Sequence, residues 1–257
     1  MRKAFRSLLA TGKPVLGMFM RTPCEVLVEV IGMTGYDYII LDDEHGQMTD
    51  AQKVSLMRTA DSMGLATLVR VPGIDEICIQ KSFDMGASGI TIPGVSTVED
   101  AQKAVAFSRY APLGKRGACP LPRSNYYGLA LPNKEYYEKA NKENFVVLCI
   151  EGPDGVANIE KIAQVEGFDA LFVGPVDLSV ALGIPGDLTN PLVKEGLKKV
   201  AEIARKYNKY LGVYAFSYEN ALQWKKGDGD FYIWGQIEPE LYKIFKKYND
   251  EIKERLR

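Results

Sequence analysis

The chain has 257 residues, of which 46% are hydrophobic and 25% charged, the composition of an ordinary globule and not of a disordered or fibrous chain. Lys and Arg number 32 against 33 Asp and Glu, a net charge of −1, so nothing electrostatic favours nucleic acid or a membrane surface as partner. The length admits two small domains or one large one, because α/β barrels run to about 250 residues.

In chain order, the opening MRKAFRSLLATGK has a short apolar stretch and no small-residue cleavage site, so it is not read as a signal peptide. No apolar run approaches the ~20 residues that span a bilayer, and a soluble, cytoplasmic protein is expected. Short β-rich runs then recur at Val15–Met20, Tyr36–Leu41, Ala66–Val71, Gly89–Ile92, Val146–Ile150, Ala170–Val173, Tyr210–Tyr214 and Phe231–Trp234. Each is followed by apolar residues at helical spacing: Cys24–Met33, Ala51–Ser62, Asp75–Met85, Val98–Ser108, Val156–Gln164, Val193–Lys206, Tyr218–Lys225 and Pro239–Leu256. Thr49-Asp50 and Ser96-Thr97 supply helix caps. Most strands are apolar throughout, as parallel strands covered on both faces require.

Eight strand–helix units over this length predict a (β/α)8 barrel, one domain spanning 1–257. The alternative, an open doubly wound sheet, usually carries a glycine-rich loop after its first strand, and MFMRTPCE is not one. Two segments fall outside the alternation. Tyr110–Asn144 is long and irregular, with one weak helical pattern near Glu135–Lys142, a length typical of functional or interaction segments. The terminal helix, about 239–256, is charged and amphipathic; it either closes the barrel or packs on a neighbouring subunit. Cys24, Cys78, Cys119 and Cys149 form no C-x-x-C pair, so neither a zinc site nor a disulfide framework is indicated.

In such a barrel the active site lies at the carboxyl ends of the strands. There the sequence places LDDEHG, with Asp42, Asp43, Glu44 and His45; VRVPG, with Arg70; CIEG, with Glu151; and VGPVDLS, with Asp177. His45 is the sole histidine, three residues from an Asp42 able to orient its ring. Glu151 and Asp177 follow consecutive strands. Two converging carboxylates call for a cation or a proton between them, and two protein ligands suit Mg²⁺, Mn²⁺, Co²⁺ or a similar divalent ion. Arg70 either pairs with Asp42 or Glu44 or clamps a substrate oxygen where negative charge develops. Backbone amides around Gly174, Pro175 and Val176 offer a carboxylate cradle. Together these groups describe enolate chemistry on a 2-oxo acid. No lysine stands at a strand end in the apolar setting of a Schiff-base enzyme, which points to a metal-dependent aldolase.

LDDEHG, RVPGID, MGASGITIPGVSTVEDAQKAV, RYAPLGKRG, the CIEG strand end and VEGFDALFVGPVDLSVALGIPG together resemble the HpcH/HpaI aldolase/citrate lyase family over roughly residues 5–190, in particular its 2-oxo acid aldolase branch. The resemblance implies a (β/α)8 barrel, an assembly that is often a hexamer with an exchanged C-terminal helix, and reversible cleavage of a 4-hydroxy-2-oxo acid to pyruvate and an aldehyde. It implies the metal on Glu151 and Asp177, an Asp42–His45 pair, an enolate-stabilising Arg70 and a substrate carboxylate at Gly174–Val176. It also implies that Arg123 and Ser124 contact substrate, reaching the site of a neighbouring subunit. Three departures accompany it. Asp43 stands where glycine is usual and adds a charge beside His45, Cys149 replaces a usual glutamine, and the last two strands match poorly. Two further readings are an acyl-CoA thioester lyase of the citrate lyase or malyl-CoA type and a barrel that binds a metabolite without turnover.

Overall fold

A computed structural model describes residues 3–226 and 229–256. In chain order its elements are α1 (Phe5–Leu9), β1 (Val15–Met20), α2 (Glu25–Met33), β2 (Tyr38–Asp42), α3 (Asp50–Ser62), β3 (Ala66–Arg70), α4 (Glu76–Met85), β4 (Gly89–Ile92) and α5 (Val98–Ser108). A 3₁₀ segment (Arg123–Gly128) and α6 (Asn133–Glu143) follow, then β5 (Phe145–Ile150), α7 (Pro153–Ala163), β6 (Ala170–Val173), α8 (Pro175–Ala181), α9 (Pro191–Lys206), β7 (Tyr210–Ala215), α10 (Tyr218–Lys226), β8 (Phe231–Gln236) and α11 (Ile237–Arg255). The eight strands are parallel and close into a barrel, β8 pairing with β1. The expected (β/α)8 architecture is therefore the observed one.

The strands alternate between two cores. One set of side chains, including Ile39, Leu41, Val69, Ile90 and Leu148, packs outward under the helices, and the other, including Tyr38, Ile40, Leu68, Phe145, Val147 and Phe231, fills the barrel. Space inside is tight: a Cβ on Gly17 would overlap the Tyr38 ring, and one on Gly212 the Phe231 ring. The caps expected from Thr49 and Thr97 are both present, each as a reciprocal capping box, with Gln52 and Asp100 as the respective partners.

Three elements escape sequence periodicity because each is short or starts at a proline. The one-turn helix α1 seals the barrel's amino-terminal end, where the Phe5 ring lies 5.0, 4.8 and 5.3 Å from those of Tyr38, Phe145 and Phe231. α8 and the first turn of α7 begin with proline at N1, a position where its missing N–H costs nothing. The long Tyr110–Asn144 connection is tied down at its base by Arg109. This buried guanidinium donates to the carbonyls of Gly167 and Asn144 at 2.8 and 2.7 Å and to Asp169 Oδ2 at 2.9 Å. A little further along, Arg116 lies between the Phe83 and Tyr110 rings.

The terminal helix α11 packs through its first turns, with Ile237 buried and Leu241 against the outer core. Beyond these, Tyr242, Phe245, Tyr248 and Ile252 are exposed. Beside the β8–β1 seam an open groove of about 350 Å³ is bordered by Leu16, Tyr36, Leu222 and Trp234. Among the described residues no helix is long and apolar enough to cross a membrane.

Candidate active site

Strand register builds the charged rim. Asp42 and Arg70 are cross-strand partners at the ends of β2 and β3, and the guanidinium meets the carboxylate with Nε to Oδ1 at 2.9 Å and Nη2 to Oδ2 at 2.8 Å. This two-pronged pair is buried, Asp42 being 1% exposed, and a second carboxylate, Glu44, lies 3.2 Å from Arg70 Nε. Burial works against the Arg70 charge, but the hydrogen bond and charge of Asp42 together with the Glu44 charge hold the guanidinium above its ordinary value. The same guanidinium sits 4.7 Å over the Phe19 ring.

Asp42 Oδ1 also accepts the backbone N–H groups of Glu44 and His45, at 3.3 and 3.2 Å. Asp42 therefore folds the LDDEHG turn and fixes Arg70. The expected pairing of Asp42 with the His45 ring is not formed, because both Asp42 oxygens serve Arg70 and only the backbone of His45 reaches them; the carboxylate beside the ring is Glu44, Nε2 to Oε2 at 3.8 Å. The ring stands at the cavity mouth, its side chain 59% exposed. Asp43 turns away from it: Lys53 Nζ donates to Asp43 Oδ2 at 2.6 Å and lies 2.9 Å from Asp50, so the extra charge expected beside His45 is neutralised from below.

Across the barrel, β5 and β6 pair as far as Ile150 and Val173, which brings the next residues, Glu151 and Gly174, side by side. Asp177 sits on the first turn of α8. A Cβ on Gly174 would lie 3.0 Å from Asp177 Oδ2 and 3.2 Å from Glu151 Oε2, so the two carboxylates converge over a spot that a larger residue would crowd. Glu151 Oε1 accepts the Gly94 N–H at 2.7 Å. Burial, aided by the Asp177 and Glu44 charges, pushes its pKa up to about 7 against the opposing pull of that N–H and of Arg70. Burial likewise raises Glu44, against the pull of Arg70.

Among the described residues no group of three or more His, Cys, Asp or Glu side chains could hold a metal ion on its own. The donor chemistry nonetheless fits a hard divalent cation. Two carboxylates meet in a partly buried spot where their mutual repulsion already favours a positive charge, and such ions complete their shell with water and substrate oxygens.

The cavity over these groups holds about 290 Å³. His45, Arg70, Glu151, Gly174, Pro175, Val176 and Asp177 all border it. Pro175 has no N–H to donate, which reduces the expected backbone cradle to its neighbours. Arg123 and Ser124 are elsewhere. Arg123 donates to the Met85 carbonyl at 2.8 Å and to Asp61 Oδ2 at 2.7 Å, at the carboxyl-terminal ends of α4 and α3, and Ser124 shares a hydrogen bond with Tyr136 Oη at 2.6 Å. These helix ends lie toward the amino-terminal mouth of the barrel, away from Glu151.

Cys149 also borders the cavity, and Phe19, Thr91, Phe172, Tyr214, Phe216 and Gln236, which are not among the residues expected from sequence, complete the wall. A usable signal existed: stepping by two along the inward set leads from Ala170 to Phe172 and Gly174, and from Gly212 to Tyr214 and Phe216. Charge marks most of the expected site residues, and these neutral side chains carry no such mark.

The model of the HpcH/HpaI aldolase/citrate lyase family matches residues 16–235. The chain belongs to this family. The match runs through β8, so membership extends over the last two strands, past the residue 190 at which the motif likeness fades. A 5-keto-4-deoxy-D-glucarate aldolase of Klebsiella pneumoniae is 33% identical over 211 residues, covering 82% of this chain and 81% of that protein. Among solved structures, the HpcH/HpaI aldolase of Desulfitobacterium hafniense superposes with a TM-score of 0.91 at 30% identity over 98% of this chain and 97% of that one. The citrate synthase SbnG does so with a TM-score of 0.90 at 30% identity over 98% of both.

Proposed function

We propose that this protein is a metal-dependent class II aldolase that reversibly cleaves a 4-hydroxy-2-oxo acid to pyruvate, or a related 2-oxo acid, and an aldehyde. The observation that carries the reading is the convergence of Glu151 and Asp177 beside Gly174, across one cavity from the Asp42-held guanidinium of Arg70. The activity of the Klebsiella relative is of the same reaction type.

Glu151 and Asp177 would hold Mg²⁺, Mn²⁺ or Co²⁺, which when bound supplies Lewis-acid polarisation of the 2-oxo acid carbonyl. In cleavage the C3–C4 bond breaks, its electron pair passes into the enolate of the 2-oxo acid, and the C4 hydroxyl loses its proton as the aldehyde forms. Arg70, locked by Asp42 and already oriented before substrate arrives, faces the developing oxyanion, where a fixed donor is worth most. His45, with Glu44 beside its ring, takes the hydroxyl proton at the cavity mouth. The backbone amides of Gly174 and Val176 receive the substrate carboxylate. Among the described residues bordering the cavity there is no lysine, in keeping with a route that forms no imine.

The reading includes a homo-oligomer, for which the exposed apolar face of α11 and the groove at the β8–β1 seam offer contact surface. An assembly is also the only way for Arg123 and Ser124 to approach an active site, that of a neighbouring copy. Purified protein with Mn²⁺ should release pyruvate from a 4-hydroxy-2-oxo acid, and EDTA or Glu151→Ala should abolish this; turnover insensitive to EDTA rejects the metal role. The likeness to a citrate synthase favours one second reading, carbon–carbon chemistry on an acyl-CoA thioester. Strict dependence of turnover on the CoA ester separates it from the first.

A further inference from the structure

The base of the Tyr110–Asn144 connection contains a second buried arginine besides Arg109. The Arg116 side chain is 0% exposed, and its Nη2 donates to Asp84 Oδ1 at 2.5 Å. The Phe83 and Tyr110 ring centroids lie 4.9 and 4.5 Å from the guanidinium carbon. Its Nε and Nη1 are enclosed and have no hydrogen-bond partner, and the same holds for the hydroxyl of Tyr110, a residue 4% exposed. The neighbouring Tyr136 hydroxyl is already engaged with Ser124 at 2.6 Å.

Enclosed donors without an acceptor are costly, because each gives up its hydration for nothing in return, and those on a charged group most of all. Here the Nε–H, both Nη1 hydrogens and the phenol O–H share one neighbourhood. The Tyr110 hydroxyl stands at the edge of the ring that lies against the guanidinium, and Arg116 is the strongest of the charges acting on it, so one small ion can reach both residues. Burial raises the Tyr110 phenol far above its ordinary value, which keeps it a donor. Positive charge also crowds this part of the fold. The Asp169 carboxylate already serves two guanidiniums, Arg6 and Arg109. Burial, with the Arg6 and Arg116 charges adding to it, lowers the Arg109 pKa against the pull of Asp169. A water molecule could accept from two of the orphaned donors, but it would bring two protons of its own to a place short of acceptors. A monatomic anion only accepts.

We propose that the base of this connection binds a halide ion, received by Arg116 Nε and Nη1 and by the Tyr110 hydroxyl. The ion would act as a clasp. Arg116 is fixed to α4 through Asp84, and Tyr110 packs on Tyr136 and Tyr137 of α6, so filling the site ties the connection that carries Arg123 and Ser124 to the barrel wall. The proposal is independent of the aldolase reading and stands or falls without it.

The test has two arms. Crystals of the full chain grown or soaked in sodium bromide should show anomalous density in contact with Arg116 and Tyr110 Oη. In solution, chloride replaces methanesulfonate at constant sodium concentration and ionic strength, and the melting temperature of the wild type should rise and saturate. Tyr110→Phe keeps the ring against Arg116 and removes only the hydroxyl. Without halide it should be at least as stable as the wild type, since it discards an unmet donor, and it should need at least fivefold more chloride for half of the rise. Bulk salt effects act alike on both proteins and cancel in this comparison. Bromide at surface positions only, with water on these donors, overturns the proposal, as does an identical chloride response in the two proteins. Should Tyr110→Phe fail to fold, the bromide map of the wild type decides alone.

Discussion

The two ends of this barrel are made by the same eight strands and follow opposite rules. At the amino-terminal end Phe5, Tyr38, Phe145 and Phe231 interlock as a dry plug, and Gly17 and Gly212 are small because those rings need the space. At the carboxyl-terminal end the inward positions carry Asp42, Arg70 and Glu151, and Gly174 is small because two carboxylates need the space. One end is stabilised by burial; the other holds like charges close together. The difference separates what keeps the protein folded from what lets it react.

Substitutions at either end should therefore act on different observables. Phe5→Ala removes the centre of the plug and should cost about 3–5 kcal/mol of stability by denaturant unfolding, with methyl exchange retained well below the lowered melting temperature. Arg70→Ala should slow methyl exchange by about 10²- to 10³-fold, and it also leaves Asp42 buried without its partner. Arg70→Lys keeps a charge but loses the two-pronged contact, and should recover little of the rate.

Glu151 makes the contrast pH-dependent. Its pKa rises from about 4.5 unfolded to about 7 folded, so the folded state binds the proton more tightly. In metal-stripped protein the Glu151 contribution to stability should be fully present below about pH 4.5 and fall by up to about 3 kcal/mol as pH rises to about 7. Glu151→Gln should flatten that slope, and Mn²⁺ should restore stability above pH 7 in the wild type but not in the variant. A slope unchanged by the substitution assigns the titration to another group. The smallest effect is expected at the supporting layer. Lys53→Met leaves Asp43 without its counter-charge and should cost about 1–3 kcal/mol, with a lower kcat and little change in KM, because the loop bearing His45 shifts and the Arg70 side does not.

The reactive end was the more legible in sequence. Charged residues following apolar strands are conspicuous, and Asp42, His45, Arg70, Glu151 and Asp177 all stand on the carboxyl-terminal rim. The eight-strand barrel was legible for a related reason, since buried parallel strands are apolar runs that alternate with helical patterns. What escaped was whatever tertiary packing decides. Helix α1 is a single turn with no periodicity to find. Phe172, Tyr214 and Phe216 look like core residues, and only strand register shows that they border a cavity. Asp43 looked like an added charge beside His45 until Lys53, ten residues on, proved to lie beneath it. Arg123 and Ser124 came from motif likeness alone, and within one chain Arg123 binds Asp61 and the Met85 carbonyl instead.

The central claim, that the paired carboxylates hold a divalent ion against which a 2-oxo acid enolises, is tested most directly by deuterium exchange of the pyruvate methyl in D₂O. The account predicts exchange that requires Mg²⁺, Mn²⁺ or Co²⁺, ceases with EDTA, and is lost in Glu151→Ala and Asp177→Ala. Exchange that persists in metal-free protein, or no exchange in the metal-loaded wild type, would contradict it.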